Sequence, residues 1–381
     1  MPKTLSIQEH FRELRDPRGG NALRHPLINI VVIAVCAVIC GANEWTDVEE
    51  FGHTHHEWLG QFLDLAHGTR SASHDTFGRV FARLDPQAFE RCLESWVHSV
   101  VHSLHGQHVA LDGKTLRNSH DSFRGQEAIH TVSAWLVGAD LTLGHLKVEA
   151  DSNEIPTVRE VLSWLDLHGC GVTADAMHCQ TETARLIVER GGEYVLPVKD
   201  NQPTLRQRLE ETFAYETLRG FKGVKHSTFQ HKEKGHGRVE TRRYTVIHDP
   251  SYLQEINADG RWWQLGSVIR VERIREIDAV ARQEVHYYIS SLATPARALA
   301  SLIRNHWRIE NGLHWRLDVV LHEDLSRVRV DHGPENFALL RRLALNLLKR
   351  ETTHKHGIQA KRLKAAWDAN YLLQVLEAVW V

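Results

Sequence analysis

The chain has 381 residues, with 46 Lys/Arg against 48 Asp/Glu and a formal net charge of −2. That balance excludes a uniformly basic nucleic-acid coat, so any polyanion has to meet a local patch. Cys36, Cys40, Cys92, Cys170 and Cys179 are an odd set with no C-x-x-C pair, which excludes a disulfide framework or Cys-rich zinc site and suits a reducing cytoplasm.

Residues 1–107 read as a helical domain. Leu5 to Leu14 is a short amphipathic stretch, broken by Asp16-Pro17-Arg18-Gly19-Gly20. The apolar run Ile30–Cys40 has eleven residues, against the ~20 needed to cross a bilayer, so it is expected as a buried helix and no membrane segment is expected. Thr46–Phe51 and Glu57–Leu65 continue the pattern, and Ser73 and Asp75 are helix starts. Asp85-Pro86 opens a long helix whose apolar face carries Phe89, Cys92, Leu93, Trp96 and Val100. Histidine is abundant, at 27 residues. His98, His102 and His105 share a helix face, with His108 beyond, and would be the ligands of a zinc hydrolase. No H-E-x-x-H glutamate accompanies them, and partly solvated histidines are the expected outcome.

From His108 the hydrophobic period changes from helical to extended. Val109-Ala110-Leu111 runs into Asp112 and then Gly113, the pattern of a buried strand that delivers a carboxylate to a sheet edge. Such a carboxylate needs a positive partner. Lys114 or Arg117 could be a simple ion-pair partner. The alternative is a divalent metal, because Gly171-Val172-Thr173-Ala174 likewise runs into Asp175. Ile129–Val137 and Leu141–Val148 read as strands joined at Gly138-Ala139-Asp140. A helix from Glu154 to Leu167, the Asp175 strand, a helix over Thr181–Arg190 and a strand over Glu193–Lys199 complete an α/β sheet with helices on its faces. Thr204–Tyr215 is expected helical, and His236–Val246, Leu265–Glu272 and Glu284–Ser291 are expected strands, so the stretch at about 200–293 is β-rich. Residues 199–243 hold eleven Lys/Arg against six Asp/Glu, the composition of either a solvated face or a phosphate-backbone groove. A helix over Ala298–Trp315 carries Glu310 on one stripe with His306, Trp307 and His314, and a Glu–Arg or Glu–His pair is its plain explanation. Trp307 and Ile309 read as core, and Asp318, Glu323 and Asp324 are rival carboxylates. Asn336–Lys349 is an amphipathic helix. Residues 351–381 read as a C-terminal tail, polar and basic up to Lys364.

Four motifs, L-D-G-K-T-L-R around Asp112, T-A-D-A-M-H around Asp175, Y-V-L-P-V-K-D-N-Q and N-H-W-R-I-E-N-G-L-H-W-R-L-D around Glu310, stand in order. Together they resemble the bacterial insertion-sequence transposases with an RNase H-like core and a D-D-E acid triad, and more narrowly the H repeat-associated group. P-L-I-N-I-V-V-I-A-V and S-H-D-T-F-G-R-V-F-A-R-L-D-P resemble that group's preceding helical domain. The resemblance implies an RNase H-like mixed sheet flanked by helices over 108–350, with a β-rich insertion at about 200–293 and an N-terminal helical domain with a DNA-end or assembly role. It makes Asp112, Asp175 and Glu310 the catalytic acids and the ligands of two Mg²⁺ ions, with Mn²⁺ able to substitute. It further implies double-stranded DNA as partner, both element ends and target, a homodimer when two ends are synapsed, and a cytoplasmic, nucleoid-associated protein. Lys199, Arg238, His306, Trp307 and Arg308 are the expected DNA contacts. Trp307 could stack on a displaced base instead of being buried. Trp307, Arg308 and Ile309 match the segment around the final acid, whereas Ile303, His306 and Leu317 replace the Tyr, Arg and Lys of many relatives. That departure keeps open a retired transposase that binds DNA without cutting it.

Overall fold

The computed structural model describes residues 6–19, 24–65, 71–101, 103–120, 125, 127–235, 238–277 and 280–377. Leu5, Gly20, His102, His236 and the side chain of Arg238, all named above, lie outside the described residues.

Among the described residues six helices come first: α1 (Ser6–Phe11), α2 (Leu27–Cys40), α3 (Trp45–Thr54), α4 (His56–Leu59), α5 (His74–Arg83) and α6 (Pro86–Val100). Helix α2 is apolar all round and buried along nearly its whole length, as expected of a helix enclosed on every side. Its 14 residues reach ~21 Å at ~1.5 Å each, and among the described residues no single helix is long and apolar enough to cross a membrane. Helix α6 starts where Asp85-Pro86 requires. The Asp85 carboxylate accepts the Gln87 N–H at 3.1 Å, and Pro86 fills a first-turn position with no hydrogen bond to lose.

Strands β1 (His108–Thr115), β2 (His130–Leu136) and β3 (Leu141–Lys147) form an antiparallel meander. Helix α7 (Glu154–Trp164), capped by Asn153, leads to β4 (Gly171–Ala174), and α8 (Thr181–Glu189) leads to β5 (Glu193–Val198). Both β4 and β5 run parallel to β1. Next come α9 (Pro203–Arg219), β6 (His226–Gly235), β7 (Arg238–Ile247), α10 (Pro250–Ile256), β8 (Ser267–Ile277) and β9 (Val280–Ser290). The sheet order is β3-β2-β1-β4-β5-β9-β8-β7-β6. The β-rich stretch therefore does not stand apart, because β9 pairs antiparallel with β5 and extends the same sheet to nine strands. This is the expected RNase H-like mixed sheet with helices on its faces. Strand β6 was not legible in the sequence, since its ten residues alternate between exposed and partly buried and supply one apolar anchor, Phe229.

Helix α11 (Ala296–His306) packs across β4, β5, β7 and β6, and α12 (Gly333–Arg350), α13 (Ile358–Trp367) and α14 (Ala369–Leu376) close the fold. Two expectations are corrected here. The helix expected over Ala298–Trp315 is interrupted by a turn at Trp307 and resumes at Arg308, and Glu310–His314 and Arg316–Val320 wind with the wider π geometry. The polar stretch after Thr352 is folded back onto the core. Lys361 donates to the Leu348 carbonyl at the end of α12 (2.9 Å), while Arg362 donates to the Val38 and Ile39 carbonyls at the end of α2 (3.1 and 3.3 Å). Cations that read as a solvated tail thus satisfy orphan carbonyls at two buried helix ends.

Candidate active site

In the parallel β1–β4 ladder the last pair is Leu111 with Ala174, so Asp112 and Asp175 are the next residues on two adjacent strands. Neighbouring strands lie ~4.8 Å apart and alternate residues share a face, so both carboxylates leave the sheet on the side of Ala110 and Thr173. The third acid arrives from the far end of the chain. Ligand atoms of Asp112, Glu310 and His314 all lie within 4.8 Å of one another, the one group with metal-ligand spacing among the described residues. His314 Nδ1 is 3.5 Å from Asp112 Oδ2 and 3.6 Å from Glu310 Oε2. Gly312 makes this approach possible, because a Cβ there would run into the Trp135 ring. Wide turns of this kind recur at functional sites.

The electrostatics follow from crowding. Burial pushes the Asp112 carboxyl up to about 6; His314 opposes the shift, and the neighbouring charges of Asp175 and Glu310 add to it. The imidazole of His314 holds Glu310 below its ordinary range, and His306 does the same for Asp175, helped by Lys199 and His178. Asp112 and Glu310 fall within ligand spacing of each other while Asp175 stands outside that group on the adjacent strand, and carboxylate oxygens are the hard donors that Mg²⁺ prefers.

Around the acids the cations divide into two sets. Lys114 does not neutralise Asp112. Its Nζ is buried 2.6 Å from Asp318, 3.1 Å from Glu323 and 3.2 Å from Asp324, and Glu323 also pairs with Arg342 at 2.6 Å. Arg117 lies near Asp324, at 3.5 Å. The rival carboxylates are therefore occupied, and Asp112 has neither of the ion pairs open to it from sequence. On the open side, a cleft of about 960 Å³ runs from Asp175 past Lys199, Arg242, Arg273, Arg275, Arg304, His306 and Trp307. Its carboxylate Glu240 is buried and shared by Arg242, Arg273 (3.2 Å) and Arg275 (3.0 Å), which arrays three guanidinium groups on the sheet face. A second hollow adds Arg308 and Arg316.

Of the expected DNA contacts, Lys199 and Trp307 line this cleft and Arg308 the adjoining hollow. Trp307 is 61% exposed, against the expectation of a core residue, while Ile309 is buried. Arg238 opens β7. His306 is buried, with Nε2 3.5 Å from Asp175 Oδ1. Of the histidine zinc set, His102 lies outside the described residues, His98 lies 3.7 Å from Glu94, and His108 is hydrogen-bonded to Thr173 at 2.8 Å. Sequence reasoning missed His314 as a donor, though its i+4 spacing from Glu310 was the available signal. It also missed Arg242, Arg273, Arg275 and Arg304, whose convergence has no local signature.

Residues 103–347 match the family described as Transposase DDE domain, and residues 8–97 match the one described as DDE_Tnp_1-associated. The chain is 38% identical over 374 residues to the H repeat-associated putative transposase YhhI of Escherichia coli K12, covering 97% of each chain. It is 36% identical over 372 residues to the putative transposase YncI of Escherichia coli O157:H7, covering 97% of this chain and 94% of that one. Among solved structures, a piggyBac transposase synaptic complex with hairpin DNA is a remote likeness, with a TM-score of 0.39 and 11% identity over 98% of this chain and 76% of that one. The chain belongs to the DDE-domain transposases, in the H repeat-associated group.

Proposed function

We propose that this transposase cuts DNA at the terminal inverted repeats of an insertion sequence and joins the freed ends to target DNA, with Asp112, Asp175 and Glu310 as its catalytic, metal-binding acids. The observation that carries this reading is the meeting of the Asp112 and Glu310 carboxylates beside the strand that ends in Asp175, across almost 200 residues of sequence. A pair of bound Mg²⁺ ions, for which Mn²⁺ could stand in, would supply activation of the attacking oxygen and neutralisation of the leaving one. The chain's own residues do the rest. Asp112, rooted in a buried strand, holds the centre of the site, and its Oδ1 accepts the Gly113 N–H at 2.9 Å, which fixes its rotamer. Asp175 is oriented by His306. Glu310, half exposed on its wide turn, is open to a scissile phosphate.

Lys199 and Arg308 contact phosphates in this reading, Arg238 extends the contact along β7, and Trp307 offers an exposed ring for an unstacked base. His306 acts through Asp175. Two copies of the chain would hold two element ends during joining, on DNA in the bacterial cytoplasm.

The test is incubation of the full chain with terminal inverted-repeat DNA and Mg²⁺ or Mn²⁺, with Asp112→Ala, Asp175→Ala and Glu310→Gln as controls. Cleavage at the ends that all three variants abolish is expected. Metal-independent end binding with no cutting under any divalent ion would instead establish a retired transposase acting as a DNA-binding protein.

A further inference from the structure

His314 does not fit a plain D-D-E site. It is buried, and its Nε2 is sealed from solvent with no hydrogen-bond partner. Its other nitrogen, Nδ1, faces two carboxylate oxygens at 3.5 and 3.6 Å. Those contacts are too long for charge-assisted hydrogen bonds, which close to ~2.7–2.9 Å. Burying an imidazole without hydrogen bonds is costly, so the site needs some other use for Nδ1.

The spacing suggests one. Donors sharing an ion with bonds of ~2.1 Å lie ~3.0 Å apart along an octahedral edge and ~3.4 Å apart along a tetrahedral one. The two contacts of Nδ1 sit close to that range, and both end on oxygens of acids that already fit a cation. Glu310 and His314 also reach Asp112 from one rigid winding, so a single backbone segment delivers an oxygen and a nitrogen together.

We propose that His314 is a metal ligand through Nδ1, so that the Asp112–Glu310 position is a mixed oxygen–nitrogen site that prefers Mn²⁺ to Mg²⁺. The inference rests on the reading of those acids as metal ligands. Mg²⁺ takes oxygen ligands and gains little from imidazole, whereas first-row transition ions bind imidazole well. Two carboxylates and one neutral imidazole leave room for waters and a phosphate oxygen.

The experiment is Mn²⁺ binding to the full chain, followed by isothermal titration and by pulsed electron paramagnetic resonance, with Mg²⁺ as competitor. Wild type, His314→Ala, His314→Gln and Asp112→Asn are compared without DNA. In wild type an imidazole ¹⁴N coupling to bound Mn²⁺ is expected, and it disappears in both His314 variants. Mn²⁺ affinity falls ~10-fold or more in His314→Ala, while Mg²⁺ affinity stays within about twofold. His314→Gln offers an oxygen in place of the nitrogen. It keeps Mg²⁺ binding and loses the Mn²⁺ preference, which preserves the test should the alanine variant fold poorly. A ¹⁴N signal unchanged in the His314 variants, or an unchanged Mn²⁺/Mg²⁺ ratio, overturns the proposal while leaving the acids as ligands. Absence of any ion from wild type would instead overturn the reading of the acids, and would be matched by Asp112→Asn behaving as wild type.

Discussion

Nε2 of His306 stands 3.5 Å from Oδ1 of Asp175, and its Nδ1 is 3.0 Å from Thr173 Oγ1, which in turn meets His108 Nε2 at 2.8 Å. Burial drives the His108 pKa down to about 3, so that ring is neutral. The row ties His306 to β4 and β1 and leaves its Nε2 facing Asp175. His306→Ala removes the orienting group without touching the acids. Cleavage is expected to fall ~10–100-fold, the range for losing a partner that orients a metal ligand. End binding should hold, and His306→Gln should recover part of the activity. Equal loss in the Ala and Gln variants would show that orientation is not the role.

Lys114 gathers Asp318, Glu323 and Asp324 around one buried ammonium and ties β1 to the segment after Glu310. Lys114→Met leaves those carboxylates without their shared cation. Removing one partner from a buried charge cluster destabilises by ~3–5 kcal/mol, so the urea midpoint should drop clearly. A midpoint equal to wild type would mean that the cluster contributes no net stability.

Glu90 predicts a pH dependence of stability. It is buried, its Oε1 accepts the His145 N–H at 2.6 Å, and its Oε2 has no partner. Burial, aided by Glu94 and Glu335, raises its pKa from 4.5 to about 8. The folded chain therefore binds the proton more tightly than the unfolded one. This contribution is complete below pH 4.5 and is lost as pH rises through about 8. Glu335, raised to about 7, acts with the same sign. At about 1.4 kcal/mol per unit, the loss is on the order of a few kcal/mol. Glu90→Gln should flatten the curve between about pH 4.5 and pH 8 in urea titrations, and a variant as pH-sensitive as wild type would remove Glu90 as the cause.

The guanidinium groups on Glu240 bear on DNA binding. Arg273→Ala and Arg275→Ala each remove one cation from the cleft while leaving Glu240 paired with Arg242. If each meets a phosphate, the slope of log affinity against log salt falls by ~0.9 per contact. Asp112→Asn, which changes no cleft arginine, should bind element ends with the wild-type slope. Double-variant binding with an undiminished slope would place the DNA elsewhere.

Local pattern was enough to place the strands that lead into Asp112 and Asp175, most of the helices and the RNase H-like order, because periodicity, caps and turns act over a few residues. It also carried the family in four motifs. How Lys114 is used emerges on folding, since its three carboxylates lie about 200 residues away and short-range pattern says nothing of them. The same holds for Trp307, which reads as core by composition but falls on the open side once α11 stops at His306. Lys361 and Arg362 look like a solvated tail until the buried ends of α12 and α2 supply carbonyls for them. Packing chooses among partners that a linear chain leaves equally available, and for ionisable groups that choice sets both charge and role.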